Sequence, residues 1–172
     1  MSDFKTKYAL VGTGSRANMF IEPLVSKFRE DSELVALSDP NPSRLSFYNR
    51  DLKEKHEYKN VPTFHSDDFG EMITQTKPDV VIVTTIDAMH HHYIVQALEM
   101  GCDVITEKPM TIDAEKCGEI IRSVEKSGKK LRVAFNYRWA PGATKVKELL
   151  LKGTIGELLH VDMEYWLNTS HG

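Results

Sequence analysis

The chain alternates short apolar runs with longer stretches in which apolar residues recur every three or four places. The runs predict strands near 7–11, 33–38, 62–64, 79–84, 102–106 and 130–135. The recurring stretches predict helices near 15–29, 42–56, 67–76, 88–100, 113–127 and 142–152. In the first helix, Phe20, Ile21, Leu24, Val25 and Phe28 continue from Ala17 as one apolar stripe. In the fifth, the stripe is Ala114, Cys117, Ile121 and Val124, and Lys126-Ser127-Gly128 marks the end. Asp79-Val-Val-Ile-Val-Thr84 is an unbroken apolar run, as expected of a strand covered on both faces of a parallel sheet. Strands and helices in alternation, with short connections, predict an α/β fold with a doubly wound parallel sheet.

Near the end the period changes. Leu159, Val161, Met163 and Tyr165 alternate with Leu158, His160, Asp162 and Glu164. Alternation with one mostly polar face predicts a sheet covered on one side only. This stretch reads as the first strand of a second, α+β domain, and one strand cannot make a stable sheet. The expected organisation is the α/β domain over residues 1–136. Residues 137–172 would hold a crossover helix and the first strand of a truncated second domain.

Bulk properties narrow the partners. A length of 172 residues suits one domain, or one domain and a fragment. A formal charge of −3 provides no basic field for nucleic acid. No apolar run approaches membrane-spanning length, so no membrane partner is expected. Met-Ser-Asp-Phe-Lys-Thr-Lys enters the first strand without a secretory or twin-arginine leader. Cys102 and Cys117 lack metal-site spacing and read as buried thiols of a reducing compartment, with the cytoplasm expected. His90, His91 and His92 are consecutive, so on a helix they point apart and predict no metal site. Trp139 and Trp166 read as packing residues.

Candidate chemistry begins where the first strand breaks into Gly12-Thr-Gly14-Ser15-Arg16-Ala17. In a Gly-x-Gly-x-x-Ala turn, Gly12 permits the turn and Gly14 lets the backbone approach a pyrophosphate. Ala17 lets the following helix sit close to the strand. The first N–H groups of that helix would face the phosphates. Arg16 would approach the same phosphates, or stand as a solvated first-turn residue. The second predicted strand ends at Ser38-Asp39, where a carboxylate can grip the adenosine ribose hydroxyls and repel a 2′-phosphate. That favours NAD over NADP. Asp39-Pro40-Asn41-Pro42 would also form a turn for reasons of its own, and Arg44 could receive a 2′-phosphate, which leaves NADP open. Lys108, in Glu107-Lys108-Pro109, follows the fifth strand at the edge where open α/β sheets bind ligands. It could hold a substrate oxygen or help to relay its proton, or be an incidental loop charge. Pro109 is a candidate for a cis peptide bond.

Taken in order, these motifs resemble one family. They are Gly12 to Ala17, Asp39-Pro40, Thr84-Thr85-Ile-Asp-Ala-Met-His90, Ala97 to Gly101, Glu107-Lys108-Pro109, Asn136-Tyr-Arg138 and Gly153 to Glu157. The chain resembles the glucose–fructose oxidoreductase, inositol dehydrogenase and rhizopine-catabolism family over nearly its whole length. The resemblance implies a Rossmann-type domain that binds NAD or NADP and serves oxidation or reduction of sugars, inositols and related polyols. It implies that Lys108 is the catalytic lysine beside the nicotinamide. It further implies that Glu107, Thr84, Thr85, His90, Asn136 and Arg138 line the cofactor side. A C-terminal domain would supply most substrate contacts, homo-oligomerisation and the catalytic histidine, a role not given to His171. Thr85-Ile86-Asp87 replaces the proline common at that point, so the contacts of Ile86 and Asp87 do not carry over. Alternatives are an NAD-dependent glycosidase of the same family, or a dinucleotide-binding fragment without activity of its own.

Overall fold

The computed structural model describes residues 4–166 and 168. Two compact units are distinguished, Met1–Ala134 and Phe135–Gly172.

The first unit is built on six parallel strands. They are β1 (Thr6–Val11), β2 (Ser32–Ser38), β3 (Thr63–Phe64), β4 (Val80–Val83), β5 (Asp103–Thr106) and β6 (Leu131–Val133), in the order β3-β2-β1-β4-β5-β6. The order reverses between β1 and β4, and a crevice opens there beyond the carboxyl ends of the strands. Helices α1 (Asn18–Val25) and α2 (Pro42–His56) cover one face. Helices α3 (Phe69–Thr76), α4 (His90–Glu99) and α5 (Ala114–Ser127) cover the other. The period of two along each strand divides the core. Leu10 and Ile82 pack toward Ile21, Leu45 and Leu52, whereas Ala9, Val11, Val81 and Val83 pack toward Phe69, Ile94 and Leu98. Burial on both faces explains why β1 and β4 read as continuous apolar runs.

Three expectations need correction here. The first helix does not run to residue 29. A 3-10 turn, Ser15–Ala17, leads into α1, which stops at Val25. Pro23 lies inside α1 and offers no N–H to the turn before it, so the helix ends soon after. Phe28 therefore leaves the stripe and is 47% exposed. On α5 the buried face is centred on Ile120 and Ser123, and Ile121, one residue round the helix, is half exposed. Cys102 is buried, but Cys117 only partly so.

The second unit holds a 3-10 turn, Asn136–Trp139, and helix α6 (Pro141–Leu151). The alternating stretch from Leu158 to Trp166 forms no strand. A strand needs a neighbour to take its N–H and C=O groups, and none among the described residues pairs with it. Trp139 and Trp166 are exposed rather than packed. His171 lies outside the described residues. Among the described residues no helix is long and apolar enough to cross a membrane.

Candidate functional site

A cleft of about 560 Å³ opens at the carboxyl ends of β1, β2 and β4. Gly12, Gly14, Ser15, Arg16, Asp39, Thr84 and Thr85 all line it, so seven of the residues singled out in the sequence meet in one place.

Gly12 has φ +93, and a Cβ there would stand 2.5 Å from the Thr85 main-chain N. Glycine is required both by the conformation and by the closeness of the β4 end. Gly14 is a different case. Its φ is −75, and a Cβ would meet nothing within 4 Å. Its bareness leaves the cleft open, as a backbone that receives a phosphate requires. Among the described residues no protein acceptor meets the N–H of Gly14, Ser15 or Arg16. These donors open on the cleft and suit a diphosphate. Ala17 lies behind them, fully buried against Leu10 and Ile82, as close packing of helix on sheet demands.

The turn is braced from three sides. Asp39, 2% exposed, accepts the Thr13 N–H at 2.7 Å on Oδ2 and the Asn41 N–H at 2.8 Å on Oδ1. The Thr84 hydroxyl donates to the Gly12 carbonyl at 2.7 Å. The Tyr48 hydroxyl, from α2, donates to the Gly14 carbonyl at 2.8 Å. Burial pushes the Tyr48 hydroxyl pKa up. Tyr48 was visible in the sequence only as one position of the Leu45, Tyr48, Leu52 stripe. Its signal was a buried hydroxyl that must find a partner. Each Asp39 oxygen retains a lone pair for a ribose hydroxyl. Arg44 Nη1 stands 3.9 Å from Asp39 Oδ2 and also lines the cleft. The far wall includes Ser66, Asp67, Met89 and Tyr93, none singled out from sequence.

The other candidates are not among the residues that line this cleft. Glu107 is buried at the end of β5 and pairs with Arg16 at 2.9 Å. Lys108 is exposed on the next position, and the Lys108–Pro109 peptide is cis. His90 is fully buried, with Nδ1 2.8 Å from the Pro109 carbonyl and Nε2 3.1 Å from the Thr85 carbonyl. Each ring nitrogen faces a main-chain carbonyl and the ring is closed off from solvent, so His90 lies behind the cleft instead of lining it. Asn136 and Arg138 fall in the 3-10 turn of the second unit. No group of His, Cys, Asp and Glu suited to a metal ion occurs among the described residues.

A parallel sheet in this order, a glycine turn at its switch point and a carboxylate at the end of β2 define a dinucleotide-binding Rossmann domain. Residues 6–135 match GFO_IDH_MocA, the oxidoreductase family with an NAD-binding Rossmann fold, and the chain belongs to that family. It is 41% identical over 162 residues to YteT of Bacillus subtilis, covering 94% of this chain and 37% of that protein. It is 34% identical over 158 residues to D-glucoside 3-dehydrogenase of Escherichia coli, covering 92% of this chain and 42% of the relative. The WlbA dehydrogenase of Chromobacterium violaceum, solved with NADH and UDP-GlcNAcA, superimposes with a TM-score of 0.78 at 28% identity. That match covers 91% of this chain and 42% of the other. The chain thus spans about two-fifths of the length of these relatives.

Proposed function

We propose that this chain holds NAD in the cleft, in a protein that passes hydride between the cofactor and a secondary alcohol or carbonyl of a sugar, inositol or related polyol. The observation that carries this reading is the placing of the Asp39 carboxylate and the unpartnered Gly14, Ser15 and Arg16 amides on one cleft. The amides take the diphosphate, and the free lone pairs of Asp39 take the adenosine ribose diol. A 2′-phosphate would face the Asp39 charge, so NAD is preferred over NADP. Thr84 and Thr85 wall the cleft toward the nicotinamide. Bound there, the nicotinamide supplies the hydride acceptor or donor. Lys108, at the end of β5, orients the reacting oxygen through its Nζ and shares in its proton transfer. Asn136 and Arg138 approach the nicotinamide side in the whole protein.

The same reading places the protein in the cytoplasm, supported by its two unpaired cysteines. It also makes the whole protein a homo-oligomer, assembled through the C-terminal domain that the family resemblance implies.

The test pairs binding with turnover. Calorimetric titration should show NAD binding more tightly than NADP, and no binding of either at millimolar concentration would refute the cofactor assignment. In the whole protein, Lys108→Met should cut NAD reduction by a panel of inositols and glucosides about 100-fold. NADH affinity should stay within about twofold. Unchanged turnover would remove Lys108 from the chemistry.

A further inference from the structure

Lys108 is exposed, yet the residues on both sides of it are fastened. On one side the buried Glu107 carboxylate takes the Arg16 guanidinium at 2.9 Å on Oε1. Its Oε2 accepts the main-chain N–H of Lys108 at 3.2 Å. Arg16 belongs to the glycine turn and lines the cleft. On the other side, the Pro109 carbonyl meets Nδ1 of His90 at 2.8 Å, while Nε2 reaches the Thr85 carbonyl at 3.1 Å. A proton on either ring nitrogen has a carbonyl to receive it. Thr85 also lines the cleft. Lys108 therefore sits between two struts, one ending on Arg16 and the other on Thr85, both of which line the cleft.

Neither strut is easily given up. Arg16 is the charged partner of a carboxylate with almost no access to water, and removing one member of such a pair strands the other. His90 has no solvent exposure, so the N–H of its ring depends on one or other of these two carbonyls. Arg16 uses one guanidinium nitrogen on Glu107, and its side chain is 44% exposed. It retains donors for an anion in the cleft.

We propose that Arg16 and His90 are positioning residues for Lys108, tying the placing of its ammonium to the two turns that receive the cofactor. The inference rests on the cofactor reading above. Cofactor binding orders the glycine turn and the end of β4, and the struts carry that order to the Lys108 loop.

The test uses the whole protein with NADH as probe. Acetylation of the Lys108 amine is followed by peptide mass spectrometry, with exposed Lys126 as internal reference. In the parent, saturating NADH should slow Lys108 acetylation about fivefold or more, the lower end of usual site-to-site coupling. Arg16→Met and His90→Phe, each saturated according to its own fluorescence titration, should keep less than about twofold protection. Arg16→Lys and His90→Gln, which retain a cation and a donor, should restore part of it. Full protection in Arg16→Met and His90→Phe, with only the melting temperature lowered, overturns the inference, since a purely structural strut would do no more. If those two variants do not fold, the conservative pair decides it: partial loss is expected, and unchanged protection overturns it. A parent that fails to bind NADH brings down the cofactor reading and this inference together. A parent that binds NADH without protecting Lys108 overturns this inference alone.

Discussion

Asp39 Oδ2 accepts the Thr13 main-chain N–H at 2.7 Å, so the end of β2 holds the middle of the glycine turn that follows β1. The carboxylate is therefore part of the cleft's framework before it meets any ribose. Its second oxygen is engaged as well, by the Asn41 N–H at 2.8 Å.

Two consequences of removing Asp39 can be measured separately. Asp39→Ala leaves the Thr13 N–H buried without an acceptor, which should cost about 1–3 kcal/mol of stability in urea unfolding. The same change should weaken NADH binding about tenfold or more, read by fluorescence titration. Asp39→Asn keeps an oxygen for one of the two amides and should cost less on both counts. NADH affinity unmoved by Asp39→Ala would show that the ribose binds elsewhere.

The two glycines of the turn should separate folding from binding. Gly12→Ala forces an L side chain to φ +93 with its Cβ 2.5 Å from the Thr85 backbone. Main-chain atoms cannot swing aside, so a loss of more than about 2 kcal/mol in urea unfolding is expected. Gly14→Ala places its methyl in open space at an ordinary φ. Stability should stay within about 0.5 kcal/mol. NADH affinity should nonetheless fall by about tenfold, because the methyl stands where the backbone must approach the diphosphate. Equal destabilisation by the two changes would contradict the distinction.

Much of this was legible in the sequence, and the legible part has a common cause. Local periodicity located every strand of the sheet, because burial on one or both faces writes a pattern into adjacent residues. The meeting of Gly12, Gly14 and Asp39 at one cleft was legible too, since a tight turn and a carboxylate at a strand end are tasks that few residue types can perform. Partnerships across the fold carry no such signature. Arg16 and Glu107 are 91 positions apart, and nothing in either neighbourhood announces the pair. The family resemblance sets His90 on the cofactor side, whereas its ring faces the Pro109 and Thr85 main-chain carbonyls. The early end of α1 was written in Pro23, whose missing N–H outweighs the apolar spacing around it. The alternation from Leu158 onward describes a strand only when a neighbouring strand exists to pair with it.

The rotated face of α5 yields a direct comparison between adjacent residues of the same kind. Ile120 is fully buried against the β4 and α4 side of the core, while Ile121 is 53% exposed. Ile120→Ala should lower stability by about 2–5 kcal/mol through lost burial and the space left behind. Ile121→Ala should change it by about 0.5 kcal/mol or less. Urea unfolding of the two variants checks this, and similar losses would return Ile121 to the buried stripe.

Tyr48 gives a pH dependence whose sign follows from its burial. Its hydroxyl donates to the Gly14 carbonyl, and burial raises its pKa above the ordinary 10.0. A tyrosine raised in the folded state keeps its proton to higher pH there than in the unfolded chain. Its contribution to stability is thus complete below pH 10.0 and is lost as pH rises from that value through the raised one. At pH 8, Tyr48→Phe should cost about 1 kcal/mol, because the half-buried Gly14 carbonyl loses its donor. The gap between parent and variant should then narrow as the pH climbs above 10.0, since the variant has no hydroxyl to ionise. Comparing the two proteins cancels the lysines and other tyrosines that titrate in the same range. A gap that stays constant across this range would show that the hydroxyl is not held against the Gly14 carbonyl as the structure has it.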